Sequence, residues 1–414
     1  MLLDMTIANF KSVKSPQTIS FEAVRDNRFP ESKVVAVTEK LKIIKSAAII
    51  GPNGAGKSSF IRALEALKSI VCSSAEEVEN PLAILSGTAF AYSEEKGQPA
   101  EITIRVYLGL DEESGDSVVA QYTLVGDRTM IYEESLYHMV GRSRKRMFER
   151  KVKEESLLLE DAKPVYGYRW GKDYRGDKKR LVNRVDERHT FLEASAARGS
   201  ETTSQIYNWI EDKLHILPMG VSNLSEKYLI GQLTEHPEWV SQLINFLWSV
   251  DITDIRDIRV RDDRLVFVHT NVTQHYASFF SLESLSLRRL CLIGVAFFES
   301  FTKQKTLIID DFGMLLHPHV LTHIVNIFEA CNGDTGSQML VVDCNPSLLE
   351  PGLLRRDGVY FAEKDSESAT VYTSLANYRY SKARDKTQIQ YMGGAFGSLP
   401  ILSEFNFTAS AKEE

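Results

Sequence analysis

The sequence predicts an α/β fold: a mixed sheet that carries a P-loop, interrupted by an inserted β-rich region and a helical lobe. Three observations predict it. The apolar run Ala47-Ala-Ile-Ile50 leads straight into Gly51-Pro-Asn-Gly-Ala-Gly-Lys-Ser-Ser59, after which Phe60, Ala63, Leu64 and Leu67 recur at helical spacing. Far downstream, Thr306-Leu-Ile-Ile309 and Met339-Leu-Val-Val342 flank a helical pattern with Val320, Ile324 and Ile327 on one face, an order that implies parallel strands. Between these halves the hydrophobic period changes from alternation to 3.6 residues.

Taken in order, Leu3, Met5 and Ile7 alternate with Asp4, Thr6 and Ala8, and Ile19 and Phe21 repeat the alternation, which predicts two strands of a half-buried sheet. The helix after the P-loop ends near Ser69 to Cys72. From about Glu101 to Asp186 short alternating runs such as Ile102, Ile104 and Val106 are punctuated by Gly, Asp and Ser, a β-rich pattern. From about Asp186 to Val250 the period is helical, clearest in Val240, Leu243, Ile244 and Leu247 after Pro237. Strands return over Ile255 to His269, and a helix is expected from about Ser286 to Phe298. Residues 1–108 and 251–400 therefore form a discontinuous head, 109–186 a β-rich insertion, 187–250 a mostly helical lobe and 401–414 a C-terminal tail. No sustained heptads are present, which excludes a long coiled-coil arm.

Composition sets outer limits. With 414 residues, 43% of them apolar, the chain can build a sizeable core, and a net charge of −7 argues against indiscriminate coating of nucleic acid. The four cysteines have no C-x-x-C spacing, so they are expected to stay reduced. No apolar run reaches membrane-spanning length, and the start lacks a signal-peptide pattern; the expected location is the cytoplasm, with no membrane contact.

The P-loop spacing carries specific chemistry. Glycines let successive N–H groups point inward, and the helix N-terminus adds partial positive charge, which together make a socket for phosphate oxygens. Asn53, Gly54, Ala55, Gly56, Lys57, Ser58 and Ser59 are the expected nucleotide-binding residues, with Lys57 reaching the β- and γ-phosphates and the Ser58 hydroxyl on Mg²⁺. Asp310, closing an apolar strand, is the second candidate Mg²⁺ ligand, and Asp311 the candidate that orients the attacking water. The competing reading is that an acidic pair merely ends a strand. ATP is the expected nucleotide, because no base-reading N-K-x-D motif of the GTPase kind is evident.

Leu2-Leu-Asp-Met-Thr-Ile-Ala-Asn-Phe-Lys-Ser-Val13 resembles the first strand and turn of ABC-type ATPase heads of the SMC, RecF and OLD groups, which places Lys11 near nucleotide. Further segments extend the likeness: Phe148-Glu-Arg-Lys151, Phe191-Leu-Glu-Ala194, Asp251-Ile-Thr-Asp-Ile-Arg-Asp-Ile258, Phe267-Val-His269, Leu316-His-Pro318, Phe361-Ala-Glu-Lys-Asp365 and Tyr391-Met-Gly-Gly-Ala-Phe-Gly-Ser-Leu-Pro400. In that order they are similar to a bacterial group of AAA-type ATP/GTP phosphatases that includes RloA-like and AbiL-like abortive-infection ATPases.

That resemblance implies an ABC-ATPase head that forms a homodimer or higher oligomer around ATP. Its signature segment falls at Leu282-Glu-Ser-Leu-Ser-Leu-Arg-Arg289, so Ser284 would cap the γ-phosphate in trans. Without the resemblance the segment reads as an ordinary helix start. Three positions depart from the pattern: Ser286 replaces a glycine, Asp311 a glutamate and Cys344 a switch histidine, with Asp343 or Asn345 as substitutes one residue away. These departures imply slow hydrolysis, or hydrolysis that a partner completes. The implied role is an ATP-driven conformational switch in bacterial anti-phage defence with a separate effector, such as a nuclease. The alternatives are a non-hydrolysing ATP-held scaffold or sensor and a RecF-like repair ATPase.

The insertion holds Arg142, Arg144, Lys145, Arg146, Lys178, Lys179 and Arg180, interleaved with Tyr166, Tyr168, Trp170 and Tyr174. Basic residues among aromatics could bind a nucleic-acid backbone and stack bases. Glu149, Glu154, Glu155, Asp173 and Asp177 in the same stretch support the plainer reading of a solvated β-face.

Overall fold

The computed structural model describes residues 1–25, 31–92, 98–158, 163–217, 223–271, 274–333, 335–378, 386–400 and 402–405. Of the tail expected over 401–414, residues 401 and 406–414 lie outside the described residues.

The N-terminal part runs β1 (Leu2–Ala8), β2 (Gln17–Ser20), β3 (Val34–Ala36), β4 (Lys42–Ile44), β5 (Ser46–Ile50) and α1 (Lys57–Val71). Next come the long antiparallel strands β6 (Ala100–Leu110), β7 (Ser117–Gly126), β8 (Ile131–Val140) and β9 (Ser143–Val152), then α2 (Glu154–Leu157) and β10 (Tyr166–Trp170). The middle holds α3 (Lys178–Val182), α4 (Phe191–Ala196), α5 (Glu201–Asn208), β11 (Leu214–Leu217), α6 (Asn223–Glu235) and α7 (Trp239–Ser249). The C-terminal part runs β12 (Ile255–Arg261), β13 (Arg264–Thr270), β14 (His275–Phe279), α8 (Leu285–Lys303), β15 (Thr306–Ile309), α9 (Pro318–Asn332), β16 (Gln338–Asp343), β17 (Val359–Lys364), β18 (Thr370–Ser374) and α10 (Thr387–Met392).

Two large sheets organise these elements. One has the order β11-β15-β16-β5-β17-β18, parallel except for the antiparallel edge strand β18. Its inner strands are apolar on both faces, as buried parallel strands must be. In β5, Ala47 and Ile49 join a core shared with α1 and the antiparallel sheet, whereas Ala48 and Ile50 join one shared with α7, α8 and α9. The strand feeding the P-loop is thus clamped from both sides.

The other sheet, β10-β9-β8-β7-β6-β1-β2, is antiparallel throughout. The β-rich region expected as an insertion over 109–186 continues the N-terminal sheet, since β6 pairs directly with β1. This pairing also explains why β1 is covered on both faces: Asp4, on the side expected to be polar, is buried against Arg105 Nε of β6 at 2.7 Å. Within the region expected to be mostly helical, four residues depart: β11 pairs in parallel with β15 and extends the P-loop sheet. Strands β12, β13 and β14 form a small separate sheet, and β3 pairs with β4. Among the described residues no helix is long and apolar enough to cross a membrane.

Candidate nucleotide site

The P-loop leaves the C-terminal end of β5 and closes at the N-terminus of α1. Gly56 adopts φ 92°, and a Cβ there would run into the Thr370 and Ser12 hydroxyls, so both conformation and space require glycine. At Gly51 a Cβ would meet the Ala362 carbonyl. Among the described residues no side chain caps the start of α1, and its first turn has no acidic residue. Its N–H groups and dipole are therefore left for an anion. Lys57 Nζ folds over the loop and donates to the carbonyls of Gly51 and Pro52, both at 2.9 Å. Asn53 and Gly54 are exposed at the lip, while Ala55 is buried beneath it.

The parallel sheet brings the two expected metal ligands together across 252 residues of sequence: Ser58 Oγ donates to Asp310 Oδ1 at 3.2 Å. Burial pushes the Asp310 carboxyl up, and the nearby Asp311 adds to this while the Ser58 hydroxyl opposes it. Asp311 begins the turn after β15 with φ 45°, its N–H donating to Asp310 Oδ1 at 3.1 Å. An unexpected residue supports the pair from below. Arg289 of α8 is fully buried and donates from Nη2 to the Asp310 carbonyl at 2.8 Å; burial lowers its pKa, against Asp311, Asp310 and Asp343.

Cys344 follows β16, which lies beside β5 with Asp343 opposite Ile50, so Cys344 stands at the P-loop end of the sheet and is exposed. Its two neighbours are otherwise engaged. Asp343 accepts from the N–H groups of Gly313 and, at 2.8 Å, Asn345. Asn345 in turn accepts from Ser347 N at 3.0 Å. Both side chains thus accept from backbone N–H groups of the neighbouring turns.

The N-terminal turn reaches the loop through Ser12. Its Oγ lies 2.8 Å from both Ser59 Oγ and Thr370 Oγ1, and the single Thr370 hydroxyl proton is shared between Ser12 Oγ and the Ala55 carbonyl, also at 2.8 Å. Tyr372, two residues along β18, donates to the Gly56 carbonyl at 2.8 Å. Ser59, expected as a ligand residue, is thus tied inward. Lys11, at φ 52°, is exposed beside this turn. On the other flank, Ser398 Oγ donates to the Ala362 carbonyl at 2.6 Å, and Phe361 stacks between Tyr391 and Phe396 at 5.4 and 5.1 Å. The C-terminal segment so held, with Pro52, Asn53, Gly54, Ala55, Glu363 and Lys364, borders an open cleft of about 670 Å³.

Ser284 and Ser286 lie at the start of α8. Ser284 is exposed and its Oγ caps the helix, accepting from Leu287 N at 3.2 Å; Ser286 Oγ donates to the Leu315 carbonyl at 2.8 Å. Lys57, Ser58, Asp310, Asp311 and Cys344 therefore converge within one chain, whereas Ser284 caps its own helix and Ser286 bonds to the segment after Asp311.

Of the basic residues expected to face nucleic acid, Arg142, Arg144, Lys145, Lys179 and Arg180 are exposed; Arg144 lies 3.9 Å over the Tyr137 ring and Lys145 3.8 Å from Asp173. Tyr168 stacks on Trp170 at 5.6 Å, and Trp170 packs on Tyr174 and Phe191 at 4.9 and 5.3 Å. Lys178 sits 5.7 Å above Trp170. These rings pack around Phe191, Tyr174 buried and Tyr168 and Trp170 partly so.

Comparison with known proteins adds the family. No curated protein matches the chain. Among solved structures, it is similar to the SMC head domain from Thermotoga maritima at 13% identity and a TM-score of 0.42, covering 90% of this chain and 98% of that one. An SMC head bound to the C-winged helix domain of ScpA gives 12%, 0.48, 90% and 97%, and a Pyrococcus furiosus Smc head with an extended coiled coil, bound to the C-terminal domain of ScpA, gives 10%, 0.43, 91% and 96%. The phosphate loop between β5 and α1 makes the fold that of a P-loop NTPase. Residues 46–342 match the family model described as "AAA domain, putative AbiEii toxin, Type IV TA system", and the chain belongs to that family of ATPases.

Proposed function

We propose that this chain binds ATP with Mg²⁺ and works as a nucleotide-driven switch: two copies close over ATP, each giving its P-loop to one side and its Ser284 to the other. The observation that carries the reading is the Ser58–Asp310 contact at 3.2 Å beside an uncapped helix start. Hydroxyl and carboxylate oxygens are hard donors of the kind Mg²⁺ takes, so the residues present fit the ion. When bound, Mg²⁺ would neutralise charge on the β- and γ-phosphates. Lys57 would exchange its two loop carbonyls for phosphate oxygens, the α1 amides would hold the same anion, and Asp311 would orient water.

Hydrolysis on this reading is slow. Asp311 is one methylene shorter than glutamate, and displacing a reacting group by about 1 Å can cost roughly a hundredfold. Cys344 offers a weak hydrogen bond where an imidazole would serve better. The family's description names a type IV toxin–antitoxin system. With the resemblance to abortive-infection ATPases, it supports an ATPase subunit of a cytoplasmic anti-phage system that acts through a separate effector. Those same two residues favour a second reading, an ATP-held scaffold without turnover. The packed rings around Phe191 give no support to nucleic-acid binding by the β-rich region or to a repair role.

The test is phosphate release from ATP by the purified chain beside Lys57→Ala, with and without DNA. Slow turnover that the variant abolishes and DNA leaves unchanged is expected. Tight ATP binding without turnover selects the scaffold, and absence of ATP binding overturns both.

A further inference from the structure

Three separate segments that the site does not use meet at one side chain. His269 of β13 is buried, with only 5% of its surface exposed. Its Nδ1 lies 2.8 Å from Asp254 Oδ2, in the turn before β12, and its Nε2 lies 3.0 Å from Glu283 Oε1, in the turn before α8. An ionised carboxylate only accepts hydrogen bonds, so two carboxylates on one imidazole require both ring nitrogens to donate. The ring is then a cation. Tyr276 of β14 stacks flat on it, with centroids 4.6 Å apart and planes at 9°, an arrangement that suits a positive ring.

Glu283 immediately precedes Ser284. Its backbone N–H donates to the Phe280 carbonyl at 3.2 Å, and Phe280 is buried against Phe267. The turn therefore has two inward anchors, the Phe280 ring and the Glu283 carboxylate, while Leu282 and Ser284 face out. Only one anchor is electrostatic. We propose that His269, as an imidazolium between Asp254 and Glu283, is a positioning residue that sets the Ser284 turn and thereby the closure of two heads over nucleotide.

The inference rests on the reading that Ser284 contacts nucleotide in trans. The titratable groups that face His269 are Asp254, Glu283 and Tyr276; on the next residue pair, His275 bonds to the Thr270 hydroxyl at 2.8 Å. Burial lowers the His269 pKa, but hydrogen bonds and attraction from the two carboxylates outweigh it and raise it above the ordinary value of 6.5. A raised histidine pKa means that its contribution is present at low pH and lost as pH rises through the raised value. Once the ring is neutral, one carboxylate loses its donor, and Glu283, the more buried of the two, loses most by staying in place.

Hydrogen exchange of the segment Phe280–Leu287 is read first, in the full chain without nucleotide. His269→Gln and Glu283→Gln are expected to speed exchange there about tenfold, the worth of one charge-assisted hydrogen bond, with the rest of the head unchanged. ATP-dependent pairing is then followed by sedimentation from pH 6 to 9, with fluorescent-ATP binding as control. Wild type is expected to pair less tightly as pH rises through the raised histidine pKa. Both variants should pair weakly at every pH and bind ATP normally. Unchanged exchange in both variants overturns the inference, whatever pairing does. Wild type that binds ATP but pairs at no pH refutes the trans reading, and the role of His269 in closure falls with it. Altered exchange would then establish only how the turn is held.

Discussion

Ser12 Oγ sits 2.8 Å from Ser59 Oγ, so the turn after the first strand is bolted to the second residue beyond the P-loop lysine. Thr370 completes the link, its Oγ1 lying 2.8 Å from both Ser12 Oγ and the Ala55 carbonyl and sharing one proton between them. The loop's shape is thus fixed by two segments remote from it in sequence. Thr370→Val keeps the volume and removes the donor. It should cost about 1–3 kcal/mol of stability, the range for leaving a buried acceptor without its partner. Chemical denaturation checks that, and ATP affinity should fall by a similar free energy. Loss of stability with unchanged affinity would mean that the link holds the strands and leaves the loop alone.

Gly54 and Gly56 separate conformation from space. Both have positive φ, 78° and 92°, but a Cβ on Gly54 meets nothing within 4 Å, whereas one on Gly56 collides with Thr370 and Ser12. Gly54→Ala should cost only the left-handed backbone penalty, about 1–2 kcal/mol. Gly56→Ala adds the collision and should abolish ATP binding in a chain that still shows a folded circular-dichroism spectrum. Equal effects of the two in nucleotide titrations would contradict the close approach.

Asp310 illustrates a site held against its own stability. Its folded pKa is raised, first by burial, so ionising it disfavours the native state. Its stabilising contribution is complete below the unfolded value of 3.8 and is lost as pH rises through the higher folded value. Asp310→Asn should therefore raise the melting temperature of the nucleotide-free chain at pH 7, and the gain should vanish on acidification. The same variant should lose at least about a hundredfold in Mg²⁺-dependent ATP affinity, since losing even an outer partner of a metal can cost that much. A lower melting temperature at pH 7 would show that the carboxylate is net stabilising.

The P-loop and Asp310 were legible in the sequence because their chemistry is local: a glycine is demanded by φ, and an acid ends a run of apolar strand residues. What tightens the site was not. Thr370, Tyr372 and Ser398 are polar residues with no spacing signature, brought in by strand pairing and by the C-terminal segment folding back along β17. Arg289 lies within the segment read as a signature, yet only packing reveals that it reaches the Asp310 carbonyl. Strand β11 hid in a helical stretch because four residues are too few for period counting and its partner β15 lies far downstream. Aromatics among basic residues look the same in sequence whether or not they pack; their contact partner, Phe191, lies on a helix beyond them.

Restoring the two altered catalytic positions tests whether the slow reading is chemical or architectural. Asp311→Glu adds one methylene at a residue whose backbone is fixed by its N–H bond to Asp310, so the carboxylate should advance without moving the loop. Cys344→His places an imidazole at an exposed position beside the P-loop, where there is room for it. If geometry at these two positions limits turnover, the double variant should release phosphate up to about a hundredfold faster, the scale of a 1 Å misplacement. The two single variants should gain less than their combined effect, because both would act on the same attacking water. If turnover stays unchanged while ATP binding is normal, the barrier lies in closure between heads. Attention then passes to Ser286, whose hydroxyl is spent on the Leu315 carbonyl in the segment that follows Asp311.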